Sequence, residues 1–510
     1  MAAQVYDLAV IGGGITGCCV ARDAAGRGLS VFLCEQGDLG GAGSSATTSL
    51  VDGGFRHRDR FALGALREGL RERERLLEAA PHIVRPLRFV LPFRKTVAQK
   101  TLLRAGFIAH DRLAGRRLLP PTRLLDGHDP AIEGILQDDI AGGVEYSDCR
   151  VDVSRLVILT AKDARTRGAS INPRLRCVIA ERDGSVWRLS LESSVGDERF
   201  VVTARTLVNA TGPWTAAVLN HVVDAGRSTR IRMVKSTQIV LPKLFEHDRA
   251  YAFRTSDRRM IFAMPYAGDY TLVGSADEDF HGDPEDVAAD IAESAYLTTT
   301  LSGYLRQPVY EDQIVWSRAG VRAVRADERS GARGADRDGA IEADGGEGRA
   351  LLISVYGGRV AMSRRLAERV VDRIASGRPA GKTWTTGAAL PGGAFEIDGL
   401  PSLERALRAA YPFIGERLAR RLAGSYGTLA QSIVSGARMM DDLGRVFGAN
   451  LTEAEAGYLV REEWARTTED ILWRRSKLGM FFSHAETEAL EGWLVEQGLG
   501  GPGTKTIHTW

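Results

Sequence analysis

Residues Tyr6 to Ile11 form an apolar run that leads directly into Gly12-Gly13-Gly14-Ile15-Thr16-Gly17 and then into a small-residue segment, Cys18 to Ala25. A second apolar run, Leu29 to Cys34, ends at Glu35, roughly 20 residues beyond Gly14. This spacing predicts strand, tight turn, helix and strand in a βαβ unit that holds a dinucleotide. Gly12 permits the turn, and Gly14 lets backbone approach a pyrophosphate. Gly17 lets helix and strand pack closely. The helix N-terminus offers free N–H groups and a favourable dipole to the phosphates, and Glu35 can accept hydrogen bonds from a ribose. A GxGxxG without that context is weak. Here strand, helix and acid all stand in their places.

A chain of 510 residues has room for more than one domain and a large core. Its hydrophobic content of 44% and charged content of 26% are ordinary for a globular protein. A net charge of +2 provides no global field for nucleic acid. The five cysteines, Cys18, Cys19, Cys34, Cys149 and Cys177, show neither metal-ligand spacing nor a disulfide framework. A reducing compartment and no bound metal are expected. The N-terminus runs straight into a strand, leaving no room for a signal peptide. No apolar run reaches the ~18 residues of a membrane span.

Further along, Leu66 to Ala79 reads as a charged amphipathic helix stopped by Pro81, and Pro86 to Phe93 as a strand. In Thr101 to Leu119, apolar residues alternate with Arg104, Arg112, Arg116 and Arg117. Such a segment suits either an anionic membrane surface or an ordinary surface helix. Ala169 to Ala180, Val186 to Leu191 and Phe200 to Thr203 read as a strand meander. Ile239 to Pro242, Arg259 to Pro265 and Tyr270 to Ser275 add strands. Asp327 to Arg349 reads as a hairpin or mobile loop, Leu351 to Tyr356 as a buried strand, and Met362 to Ala375 as a helix. After Pro391 the pattern is helical to about Gln497, which predicts a separate C-terminal domain.

The fingerprint alone does not separate NAD from FAD. FAD is favoured by the extreme N-terminal position and by the glycine- and hydroxyl-rich run Gly40 to Ser49. Two later strand–glycine turns, Thr211-Gly212 and Gly357-Gly358, point the same way. The second opens a helix whose dipole could stabilise negative charge on a reduced flavin.

The chain resembles the FAD-dependent glycerol-3-phosphate dehydrogenases of the membrane-associated, quinone-reducing kind. The matching text includes DAAGRGLSVFLCEQGDL (23–39), GAGSSATTSLVDGGFRHRD (41–59), EYSDCRVDVSRLV (145–157), LVNATGPW (207–214), IVWSRAGVR (314–322), SVYGGR (354–359) and LWRRSKLGM (472–480). The resemblance implies an α/β fold in which a Rossmann-like FAD-binding domain is interleaved with a β-rich substrate domain and followed by a helical domain. The expected parts are FAD-binding 1–80, 151–235 and 320–390, a cap and membrane-facing segment 81–150, a substrate domain 236–319 and a helical domain 391–510. It implies hydride transfer from C2 of glycerol 3-phosphate to flavin N5, with the electrons passing to a membrane quinone. The protein is expected to be cytoplasmic and peripheral on the inner face of the cell membrane. A homodimer is left open. The cofactor contacts it implies are Gly12, Gly14, Gly17, Glu35, Ser44, Ser45, Thr47, Thr48, Cys177, Thr211, Gly212, Gly357 and Gly358. Arg56, Arg322, Arg337 and Arg359 are the expected substrate-binding arginines, since a guanidinium fork suits a phosphate.

The chain departs from the family pattern at several of these places. Where the family reads SSKLIHGGLRY, here a lysine has become Ser49, a histidine Asp52 and a tyrosine His57. The family's KGSH appears as Lys235-Ser236-Thr237-Gln238, and its GGKxTTYR as Gly357 to Arg364, with Arg359, Ala361 and Met362 substituted. Gln238 cannot act as a base, and Arg359 is a poor one. The expected catalytic group is therefore His57 as base with Asp52 beside it and Arg359 supplying positive charge. The alternative is that Asp52 and His57 are simply polar residues on a turn. Three functional readings stay open: glycerol-3-phosphate oxidation, oxidation of another small anionic hydroxy compound or amine, and a flavin-binding homologue without turnover.

Overall fold

The computed structural model describes residues 4–51, 63–94, 118–223, 231–257, 259–325, 339–376 and 380–499. Asp52, Arg56, His57, Arg337 and the basic stretch 101–117 lie outside the described residues. The alternating apolar pattern of the N-terminal segment builds an eight-stranded sheet. At its centre β1 (Val5–Ile11) pairs in parallel with β2 (Val31–Glu35) and with β10 (Arg199–Asn209). β7 (Ser170–Pro173) extends the parallel run beyond β2, and β17 (Arg349–Tyr356) extends it beyond β10. Successive residues of β1 serve opposite faces. Leu8 and Val10 pack with α1 (Ile15–Gly26), α3 (Val153–Thr166) and α5 (Ser363–Ala375). Ala9 and Ile11 pack under the antiparallel strands β8 (Leu175–Asp183) and β9 (Val186–Ser193). The expected meander is present, and the first of its predicted strands divides at Arg174, whose φ is +58°. Of the segment read as hairpin or loop, β16 (Ala340–Gly346) pairs antiparallel with β17, so its described part is a hairpin.

A nine-stranded sheet lies beside the first, in the order β15 (Trp316–Arg325), β11 (Ile231–Pro242), β14 (Tyr270–Phe280), β13 (Met260–Tyr266), β12 (Ala250–Arg254), β4 (Val84–Arg94), β6 (Ile140–Val151) and β3 (Leu50–Val51). β5 (Arg123–Asp126) is added along β6. β11 pairs with β15 from Ile231–Arg325 to Val240–Trp316. Continuous hydrogen bonding therefore keeps 231–235 and 320–325 in this sheet, although the sequence placed them in FAD-binding parts. One face is covered by α4 (Ile291–Ser302). Thr237 donates to Glu293 of that helix at 2.8 Å, and the Lys235 ammonium pairs with the same carboxylate at 2.8 Å. The opposite, inner face carries Gln238, Val240, Arg318, Gly320 and Arg322, since residues two apart in a strand share a face.

The C-terminal helices Glu416–Tyr426, Glu453–Glu463 and His484–Glu496 have their own core, which includes Leu422, Leu459 and Trp493. Buried ion pairs fix this unit to the first sheet. Arg155 of α3 pairs with Glu463, and Asp38 pairs with Arg474 and Arg475. Among the described residues no helix is long and apolar enough to cross a membrane.

Candidate cofactor and substrate site

The Gly12–Gly17 turn is shaped by contacts that leave no room for side chains. A Cβ on Gly17 would lie 1.9 Å from the Gly12 carbonyl oxygen, and one on Gly12 would lie 2.5 Å from that of Ala210, at a φ of +111°. Gly14 differs, because its Cβ would meet only Ser44 Oγ, at 3.3 Å. Packing thus dictates glycine at 12 and 17, whereas at 14 the open space itself is the functional feature. Gly14 is the N-cap of α1 and has no side-chain cap, so the first turn presents backbone N–H groups. Ser44 Oγ accepts one of them, from Ile15 at 3.1 Å.

Glu35 ends β2 with one carboxylate oxygen accepting from Gly13 N–H at 2.7 Å and the other from Gly37 N–H at 2.8 Å. Burial raises its pKa, and these two donors oppose the rise by favouring the charged form. A carboxylate has capacity for further donors, such as two ribose hydroxyls. Asp38, just beyond, accepts from Arg474 Nε at 2.6 Å and Arg475 Nη2 at 2.8 Å.

The hydroxyl-rich run continues from the N-terminus of α1 to the inner face of the second sheet. A Cβ on Gly43 would lie 2.7 Å from Val321 O, and one on Gly320 would lie 2.4 Å from Ala46 Cβ. Gln238 Nε2 donates to Ala46 O at 3.0 Å. The Arg318 guanidinium donates to Ser45 O, Thr47 O and Ser49 Oγ, each at 3.0 Å, and to Gln238 Oε1 at 2.7 Å. Of the expected hydroxyl ligands, Ser44 faces the helix terminus, whereas Ser45 Oγ donates to the carbonyl of Ala42 within its own turn. Thr47 and Thr48 are half-buried. Cys177 presents its thiol to the core under β1 and β2, where burial pushes the pKa up to about 12. It is a neutral hydrophobe there, and only its backbone could face a cofactor.

Two further turns close on the same end of the first sheet. After β10, Thr211 Oγ1 donates to Asn209 Oδ1 at 2.7 Å, and Gly212 takes a φ of +58°. After β17, Gly357 and Gly358 take φ of +63° and +104°, ahead of Arg359 and the start of α5. These residues cluster at the carboxyl ends of parallel strands, where ligands of open α/β sheets bind. Arg322 stands four residues beyond Arg318 on β15 and pairs with Asp277 at 2.9 Å while staying partly exposed. Gln238 and Arg318 are cross-strand partners. Arg318 is the site residue that sequence reading missed. Its signal was its place two residues before Gly320 on the same face, which became meaningful only with the β15 register in hand.

The donor set fits FAD: a helix terminus whose N-cap is a glycine, a clear path over Gly14, a ribose-type carboxylate, and a loop connecting that turn to a second sheet. Fold and site together define a FAD-dependent oxidoreductase. Residues 7–364 match the family described as FAD dependent oxidoreductase, and residues 383–494 match the C-terminal domain of alpha-glycerophosphate oxidase. The chain is 41% identical over 501 residues to a glycerol-3-phosphate dehydrogenase of Pseudomonas aeruginosa, covering 97% of this chain and 96% of that protein. It is 40% identical over 498 residues to the D-erythritol 1-phosphate dehydrogenase of Brucella abortus, covering 97% and 99%. The crystal structure of the glycerol-3-phosphate dehydrogenase from Bacillus halodurans complexed with FAD superposes with a TM-score of 0.77 at 25% identity, covering 98% of this chain and 91% of that one. The chain belongs to the FAD-dependent glycerol-3-phosphate dehydrogenase family, and FAD is its cofactor.

Proposed function

We propose that this enzyme oxidises sn-glycerol 3-phosphate to dihydroxyacetone phosphate and passes the electrons to a membrane quinone. The observation that carries the reading is the inner face of β15. Its Val321 carbonyl oxygen packs against Gly43 of the loop that follows the Gly12–Gly17 turn, and Arg322 is the next residue of the strand. A guanidinium there is suited to the phosphate of a small polyol phosphate, with Asp277 holding its orientation. Arg359, in the turn ahead of α5, and Arg56 and Arg337 are the other proposed phosphate ligands. FAD, when bound, accepts the hydride at N5.

The alcohol proton must go to a base as the hydride leaves. Gln238 has both ends of its amide engaged, one by Ala46 O and the other by Arg318, and an amide is no base. We assign the base role to His57, with Asp52 orienting it. The basic stretch Thr101 to Leu119 is the proposed contact with the membrane surface, on the cytoplasmic side.

A second reading is oxidation of a longer polyol phosphate. The 40% identity to a D-erythritol 1-phosphate dehydrogenase favours it, together with the altered residues Ser49, Gln238, Ala361 and Met362. The deciding experiment adds each substrate anaerobically to the purified flavoprotein and follows bleaching near the flavin maximum. Rapid bleaching by glycerol 3-phosphate supports the first reading. Bleaching by D-erythritol 1-phosphate alone replaces it with the second. If only dithionite bleaches the flavin, turnover of either substrate is refuted. Loss of bleaching in His57→Ala supports the base assignment, and an unchanged rate overturns it.

A further inference from the structure

Arg318, Lys477 and Tyr266 are half-buried side chains. The Trp316 ring stacks on Trp473 with centroids 4.7 Å apart and lies under the Arg318 guanidinium at 5.8 Å. Lys477 Nζ stands 3.6 Å from Asp152 and donates to Ser154 Oγ at 3.1 Å. Arg318 has no carboxylate partner among the described residues. Its acceptors among the described residues are neutral: Gln238 Oε1, Ser45 O, Thr47 O and Ser49 Oγ.

Holding a half-buried cation on neutral acceptors leaves it without a direct ion pair, and among the described residues Asp152 is then the one carboxylate acting on the two cations Arg318 and Lys477. Burial lowers the Arg318 guanidinium from its ordinary range, against the raising charge of Asp152, and burial together with Arg318 and Arg474 brings the Lys477 ammonium down to about 8. The arginine nevertheless remains protonated at any physiological pH. Its donors are turned toward the loop 45–49, so direct chelation of a ligand is not its task. Its charge can act at a distance, because a half-buried group is screened less than one in open water.

We infer that Arg318 is a positioning and electrostatic residue that clamps residues 45–49 against the flavin and, with Lys477, supplies an excess of positive charge over the Asp152 carboxylate that favours electron-rich flavin. It stands where Ser49 has replaced a lysine, and it reaches Ser49 directly. The inference rests on the bound FAD alone and is indifferent to which polyol phosphate is oxidised.

The test uses sulfite, an anion that adds reversibly to oxidised flavin and binds more tightly when positive charge is near. In the holoenzyme, Arg318→Gln should weaken sulfite binding by about tenfold or more and lower the flavin midpoint potential. Arg318→Lys keeps the charge and should stay within about threefold of the unmodified enzyme. Unchanged sulfite affinity in Arg318→Gln, or an equal loss in both variants, would overturn the charge role. If Arg318→Gln does not retain FAD, Gln238→Glu decides the matter. It sets a carboxylate on the guanidinium while preserving the arginine's bonds to 45–49, and it should weaken sulfite binding comparably. An unchanged affinity there refutes the inference. Because no substrate is present, neither result depends on the glycerol 3-phosphate reading.

Discussion

Asp38→Asn tests how the C-terminal unit supports the cofactor cradle. The Asp38 carboxylate, 7% exposed, is shared by Arg474 and by Arg475, which is 0% exposed. Arg474 has other carboxylates, Asp470 at 2.5 Å and Glu469. Without Asp38, Arg475 retains the Glu463 carbonyl oxygen at 2.7 Å and no carboxylate within hydrogen-bonding distance among the described residues. The cost of the substitution therefore falls on one buried guanidinium, and breaking a buried pair on one side costs about 3–5 kcal/mol. An asparagine oxygen can still accept one hydrogen bond, which puts the expected loss near the lower end, about 3 kcal/mol. Removing the orphaned cation as well, in Asp38→Asn/Arg475→Met, should recover part of that loss. Glu35 lies in the same turn, so FAD should dissociate faster from the single variant. Urea unfolding followed by tryptophan fluorescence gives the stability, and flavin fluorescence on dilution gives FAD release. A loss below about 1 kcal/mol, the range of an exposed pair, would refute the reasoning. So would a double variant less stable than the single one.

The remaining predictions are more local. Gly14→Ala should fold normally yet purify with little FAD, because its Cβ meets only Ser44 Oγ at 3.3 Å, whereas Gly17→Ala, 1.9 Å from the Gly12 carbonyl oxygen, should lower the melting temperature of the apoprotein itself. Melting curves with and without added FAD distinguish the two, and identical behaviour would be inconsistent with the turn geometry. His82 is 0% exposed, its ring nitrogens have no hydrogen-bond partner among the described residues, and burial with Arg155 and Arg85 nearby lowers its pKa from 6.5 to about 3. The unfolded chain therefore binds a proton first as pH falls, so stability should drop below pH 6.5 down to about 3, with a slope of up to about 1.4 kcal/mol per pH unit. His82→Phe should flatten that slope in urea midpoints measured across the range, and an unaltered slope would exclude His82 as its source.

The sequence by itself determined the βαβ unit, because its signals are local: apolar alternation in Tyr6 to Ile11, glycines at fixed offsets, and an acid at the next strand end. It determined the cofactor through that unit and through the family text, which spans most of the chain. The helical character beyond Pro391 was also legible, since a 3.6-residue period is written along the segment that adopts it. Only the tertiary structure decided what depends on register between distant strands. Residues 231–235 and 320–325 belong to the second sheet because β11 and β15 pair along their lengths, and no local pattern marks that pairing. Gln238 read as a lost base; with Arg318 opposite and Ala46 above, it is part of a clamp on the loop 45–49. Asp38 and Arg475 lie 437 residues apart in the chain and meet only when the C-terminal unit docks. Local periodicity fixes which residues face inward, whereas the partners they meet there are set by chain crossings that a single sequence does not encode in any one window.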